Sequence, residues 1–209
     1  KIKVFCQLKI KLYICLIIQL YRMSKIILIT HQKGGVGKST IAYNLASNIR
    51  ENAKVCIIDM DSQGSLINIS ELSEVPIFTA DMLNEKIKSD YDFIFIDTPP
   101  YLNEKIIDLC NISDVIIIPT KAGVLDLLAI KSTIDIVKQA KSENKAIIVF
   151  NMIKPNTTLT EEIKSQLQDY NIKVSKNMLS DLVSFSRSVL VNGVEENNNA
   201  QKQIDNLTK

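Results

Sequence analysis

Residues Lys25–Thr40 read KIILITHQKGGVGKST. The apolar run Lys25–His31 predicts a strand buried on both faces. Glycines follow at once at 34, 35 and 37, then Lys38, and a helical pattern runs over Lys38–Arg50. Strand, glycine loop and helix in direct succession are the setting a phosphate-binding loop needs. Gly34, Gly35 and Gly37 open backbone conformations closed to other residues, so the N–H groups around Val36 turn inward as an anion nest. The helix N-terminus adds its dipole. Lys38 is placed to reach phosphate oxygens, and the Ser39 hydroxyl, next to Thr40, to ligate Mg²⁺. The loop departs from G-x-x-x-x-G-K-[ST] in two ways: Gln32 stands at the first glycine position, and a second lysine, Lys33, precedes the glycine pair.

Working outward, Ile- and Val-rich runs recur at Lys54–Met60, Tyr91–Asp97, Asp114–Pro119 and Lys145–Met152, with a weaker one at Ile172–Ser175. Helical patterns fill the gaps at Ala80–Lys88, Asn103–Asn111, Leu125–Ala140 and Thr160–Tyr170, with Thr160 as N-cap of the last. This alternation predicts an α/β fold with a doubly wound, mostly parallel sheet and helices on both faces. The polar stretch Glu195–Gln203 predicts a frayed helix or tail at the C-terminal end.

Composition narrows the function classes. The 209 residues are 46% hydrophobic and 23% charged, ordinary globular usage, which excludes a disordered chain, a collagen or a coiled coil. Cys6, Cys15, Cys56 and Cys110 show no C-x-x-C spacing and His31 is the one histidine, so neither a zinc site nor a disulfide framework is expected. The net charge of +2 comes from one end: residues 1–22 hold five bases and no acid, and the rest carries 20 bases against 23 acids. Any nucleic-acid site must therefore be a local patch. The longest uncharged run of that leader, Leu12–Tyr21, is ten residues, half of a membrane span. We read 1–22 as upstream sequence translated in frame, with Met23 as the start, and 23–209 as one domain.

Carboxylates end two of the strands. Asp59 and Asp61 lie in IIDMDSQGS, and Asp97 in YDFIFIDTPP. The C-terminal end of a parallel strand faces the crevice where such folds bind ligands. An acid after an apolar strand, as at Asp97, suits Mg²⁺ held through the carboxylate.

K-G-G-x-G-K-[ST] over Lys33–Ser39 resembles the deviant phosphate loop of the ParA/MinD superfamily of ATPases. D-x-D at Asp59–Asp61 and D-T-P-P at Asp97–Pro100 are similar to further motifs of that family, with Ser62 in place of a proline. The resemblance implies ATP and Mg²⁺ as cofactors, Lys38 on the phosphates and Lys33 reaching the partner's nucleotide across a homodimer. It implies Asp61 as the residue that positions the attacking water, Asp59 and Asp97 near the metal with Ser39, and Pro99 in the loop that senses the γ-phosphate. It also implies Asn151 near the adenine and Asp126 facing the partner's nucleotide. Without C-x-x-C, the iron–sulfur branches are disfavoured.

The absence of an N-terminal DNA-reading domain from 23–209, and Ser180–Glu196, resemble the small plasmid-type ParA proteins. That branch implies a cytoplasmic, nucleoid-associated ATPase that segregates DNA or positions cargo with a ParB-like adaptor. Lys173, Lys176 and Arg187 are the candidate contacts to non-specific DNA, while Leu182 stands where relatives often carry a base. The alternative is a MinD-like, membrane-cycling ATPase; Ala200, Ile204 and Leu207 make a poor membrane helix, so a membrane partner is not expected. A metabolic P-loop ligase or a switch with negligible turnover fits less well. Lys38→Ala is expected to abolish nucleotide binding, measured by calorimetry; unchanged affinity would remove the phosphate-loop assignment.

Overall fold

The computed structural model describes residues 23–209 except 62, 65, 102, 155–158 and 195, so the leader lies outside the described residues. Seven strands form one sheet: β1 Lys25–Ile29, β2 Val55–Asp59, β3 Ile77–Thr79, β4 Phe93–Asp97, β5 Val115–Thr120, β6 Ala146–Phe150 and β7 Lys173–Val174. Their order is β3-β2-β4-β1-β5-β6-β7, and each described pairing is parallel. The helices are α1 Lys38–Ile49, α2 Glu85–Asp90, α3 Asn103–Ile112, α4 Val124–Gln139, α5 Leu159–Gln168, α6 Val183–Arg187 and α7 Asn198–Thr208.

Period-two alternation divides each central strand between two cores. Ile26 and Leu28 of β1, Ile94 and Ile96 of β4, and Ile116 and Ile118 of β5 share one core with Ile106 of α3, Ile130 and Ile134 of α4 and Leu167 of α5. Ile27, Ile29, Phe95 and Ile117 point the other way, onto Ile41 and Leu45 of α1, Phe185 of α6 and Ile204 of α7. Burial on both faces explains why the strands read as continuous apolar runs. From β1 the chain passes through α1 to β2 on one side, and from β4 it returns through α3 to β5 on the other. The crevice at this reversal is where the carboxyl ends of β1, β2 and β4 meet.

Three expectations need correction. The C-terminal end is not a frayed tail. α7 is capped by the Asn197 side chain, which accepts from the amides of Asn199 and Ala200, and it packs Ala200 and Ile204 against α1. Residues 80–88 do not form one helix: a single 3₁₀ turn at Ala80–Met82 is followed by α2, which starts afresh because Asn84 caps the amides of Lys86 and Ile87. Thr160 lies inside the first turn of α5, not at its cap. The structure also adds β3, a short edge strand beside β2 that follows Pro76.

Ile204 is fully buried. Ile204→Ala is expected to destabilise the protein by about 2–5 kcal/mol in urea unfolding, the cost of a buried methylene cavity. A cost near zero would mean that α7 is peripheral.

The phosphate loop and candidate active site

Gly37 turns the chain from the loop into α1. Its φ of 91° is left-handed, and a Cβ there would lie 2.1 Å from Asn151 Nδ2. Asn151 stands just beyond β6 and donates through that nitrogen to the Val36 carbonyl at 2.9 Å. It thus holds the loop backbone directly. Gly35 is also left-handed, at φ 70°, and among the described residues nothing lies within 4 Å of where its Cβ would be. α1 carries no acid in its first turn, which leaves its N-terminal dipole free to favour an anion. Lys38, at the first position of α1, is buried, and its ammonium donates to the Lys33 carbonyl at 3.2 Å. Burial lowers its pKa, while Asp97 and Asp61 oppose the shift. Ser39 and Thr40 follow, half-buried, on the same turn.

The carboxylates differ in what already satisfies them. Asp59 and Asp97 are opposite one another in register at the ends of β2 and β4. Asp59 Oδ1 accepts from the Asp61 amide at 2.9 Å, and Oδ2 from the amides of Leu66 and Ile67 at 2.9 and 3.0 Å. Both of its oxygens therefore organise the loop after β2. Asp61 Oδ1 accepts from the Gln63 amide at 2.9 Å, closing a turn at the mouth of the crevice. Asp97 is buried and its Oδ1 has no partner among the described residues. Burial pushes its carboxyl up to about 7, against the hydrogen bond from Ser39 and the charge of Lys38, with the Asp59 and Asp61 carboxylates pushing the same way as burial. An orphaned carboxylate oxygen beside a serine hydroxyl fits a hydrated divalent cation. Among the described residues no cluster of three or more His, Cys, Asp or Glu could hold a metal. The fit is to Mg²⁺, which takes few protein ligands and completes its shell with phosphates and water.

Lys33 lies outside the cradle. Its ammonium pairs with Asp126 Oδ1 at 2.6 Å, at the start of α4. Its amide donates to His31 Nδ1 at 2.8 Å, and the Gln32 amide before it donates to Thr133 Oγ1 at 3.0 Å. His31 is neutral: burial and the nearby Lys38 and Lys33 charges lower its pKa to about 4, against Asp126. As Nδ1 accepts, the proton sits on Nε2, which has no partner among the described residues. His31, which the sequence suggests is only a strand-end residue, thus fixes the backbone of Lys33. Its single signal was adjacency to the loop. Pro99 continues from Thr98, whose hydroxyl donates to the Ile29 carbonyl at 3.0 Å and ties the end of β4 to that of β1.

The candidate DNA contacts lie on two elements. Lys173 and Lys176 are exposed at the β7 edge. Arg187, at the end of α6, lines a groove of about 330 Å³ with Val183, Val191 and Asn197. Leu182 packs toward the core around α1.

Residues 27–192 match the family model of the CobQ/CobB/MinD/ParA nucleotide binding domain. The maintenance of carboxysome distribution protein A of Halothiobacillus neapolitanus is 28% identical over 181 residues, covering 79% of this chain and 83% of that protein. The sporulation initiation inhibitor protein Soj of Bacillus subtilis is 25% identical over 231 residues, covering 81% and 91%. A plasmid partition protein from Borrelia burgdorferi, solved with AMPPNP, superposes with a TM-score of 0.67 at 22% identity over 88% of this chain and 96% of that one.

A raised carboxyl favours its protonated form, so the stability it lends is present at low pH and is lost as the pH rises through its folded value. The nucleotide-free protein is therefore expected to melt about 2–4 °C lower at pH 8 than at pH 6.5. Asp97→Asn should remove that difference in thermal melts, and an unchanged difference would assign it to another group.

The family model spans most of the chain, and the loop, the parallel sheet and the strand-end carboxylates agree with it: this chain belongs to the CobQ/CobB/MinD/ParA nucleotide binding domain family.

Proposed function

We propose that this protein is a Mg²⁺-dependent ATPase of the ParA type. In this reading it alternates between a monomer and an ATP-bound homodimer, and uses the cycle to segregate DNA or position another cargo. The observation that carries the reading is the different standing of the two loop lysines. Lys38 is buried at the start of α1 and bonded to the loop itself, where it neutralises the phosphates of its own nucleotide. Lys33 is half-exposed beyond the cradle and paired with Asp126. Tyr101 and Leu125, 74 and 73% exposed, line a groove with it, and Val124 and Leu128 of α4, the helix that carries Asp126, are 62 and 69% exposed. An apolar rim around an ion pair suits burial against a second copy. Lys33 then contributes to the partner's site, as does Asp126.

In this reading the N–H groups from Gly34 to Thr40 and the start of α1 bind the phosphates. Ser39 and Asp97 hold Mg²⁺, which supplies charge neutralisation on the phosphate oxygens. Asp59 braces the loop that carries Asp61, and Asp61 orients or deprotonates the attacking water. Pro99 stiffens the segment that responds to the γ-phosphate. Asn151 acts through its bond to Val36, beside the base. The names of the relatives, which concern partition and carboxysome distribution, support a cargo-positioning role.

The proposed surface is non-specific DNA, with Arg187, Lys173 and Lys176 as contacts that dimerisation doubles, and a ParB-like adaptor as the stimulating partner. The setting is the cytoplasm, on the nucleoid when ATP is bound. Among the described residues no helix is long and apolar enough to cross a membrane. The apolar residues of α7 are occupied by α1, which favours DNA over a lipid surface.

Asp61→Ala separates assembly from hydrolysis. Losing a group that orients or deprotonates water typically costs ~10²–10⁴ in rate. The variant is expected to bind ATP, accumulate as a dimer in size-exclusion chromatography and release phosphate that much more slowly. Hydrolysis at the parent rate would make Asp61 a turn-closing acid only. Arg187→Glu in that background should release the dimer from DNA without changing ATP affinity; equal DNA binding would move the contact elsewhere.

A further inference from the structure

Lys33 is held at both ends in one subunit. Its amide is fixed by His31, the amide before it by Thr133, and its ammonium by Asp126. Asp126 is itself fixed. It lies in the first turn of α4, and its amide donates to the Gly123 carbonyl at 3.0 Å. Its carboxylate folds back over Gly123, so that a Cβ on Gly123 would lie 2.7 Å from Asp126 Oδ2 and 3.7 Å from its Cγ. Among the described residues no other heavy atom comes within 4 Å of that position beyond the chain neighbours. Gly123 is at φ −139° and ψ 151°, extended backbone that any residue adopts. The glycine is therefore not needed for its backbone freedom. What it provides here is space for one carboxylate.

We propose that Gly123 is a positioning residue for Lys33: its missing Cβ lets the Asp126 carboxylate sit where it captures the Lys33 ammonium within the subunit. The pair then acts as a latch. Lys33 cannot enter a neighbouring copy's site while Asp126 holds it, so its release precedes ATP-driven association. The charge-assisted bond is short and half-shielded, with Asp126 side chain 11% and Lys33 side chain 37% exposed. Only its consequence for association rests on the dimer reading above; the geometry of the latch does not.

Gly123→Ala tests this cleanly, because the substitution leaves φ and ψ allowed and meets only the carboxylate. Circular dichroism and the melting temperature should match the parent. In the nucleotide-free protein, competitive amine labelling read by mass spectrometry, with exposed Lys131 as internal reference, should show Lys33 labelled about two- to fivefold faster than in the parent, the range of one partly exposed ion pair. Unchanged Lys33 labelling would overturn the proposal. With a non-hydrolysable ATP analogue, light scattering should show the variant dimerising at a two- to fivefold lower protein concentration. Faster labelling with an unchanged dimerisation threshold would uphold the positioning role of Gly123 and overturn the reading that Lys33 acts across the dimer.

Discussion

The left-handed turn at Gly37 is the constraint on which the rest of the site depends. Only a residue without Cβ fits there, because the Asn151 amide lies where a methyl group would go. That amide holds the Val36 carbonyl, so β1, the loop, α1 and the end of β6 are fastened at one point. The turn aims the N-terminus of α1 back across the crest of the sheet. It also sets Lys38 and Ser39 beside Asp97. A wider turn would lose the dipole, the lysine and the hydroxyl together.

Around that turn the charged groups are satisfied unevenly, and the unevenness tells them apart. Asp59 accepts from three backbone amides, so it stabilises a loop. Lys33 is paired with Asp126 and stays away from the cradle. Asp97 alone of the three crest acids is left with a buried oxygen that lacks a partner among the described residues. A buried carboxylate without compensation is costly, which is why its carboxyl is pushed up. Cation binding would remove that cost, whereas both oxygens of Asp59 already accept from backbone amides.

Much of the fold follows from local pattern. Continuous apolar runs force burial on two faces, and helical stretches between them force parallel crossovers, so the doubly wound sheet is legible before any coordinate is known. The failures have local physical causes as well. Ile77–Thr79 is too short to show a period, and it is the register with β2, extended by the Ile57 amide donating to the Pro76 carbonyl, that makes it a strand. Ala80–Lys88 has helical composition throughout, yet the side chain of Asn84 offers its own cap and restarts the helix. Asn198–Thr208 looks too polar to pack. Two buried residues, Ala200 and Ile204, suffice because α1 presents an apolar surface to them.

The sequence by itself determined the phosphate loop, the strand-end positions of Asp59 and Asp97, the placement of Asp61 just beyond Asp59, and the family resemblance. Each of these depends on residue type and spacing along a few consecutive positions. Tertiary structure alone decided what each side chain holds. The bonds that hold Lys33 and Asn151 join residues far apart in the chain, while those that hold Asp59 come from the loop two to eight residues further on, whose path no motif sets. Lys33 meets Asp126 across 93 positions and Asn151 meets Val36 across 115. Gly123 carries no motif, and its importance lies in an atom it lacks. Spacing along a chain fixes which groups are available, and only packing fixes which of them are already taken.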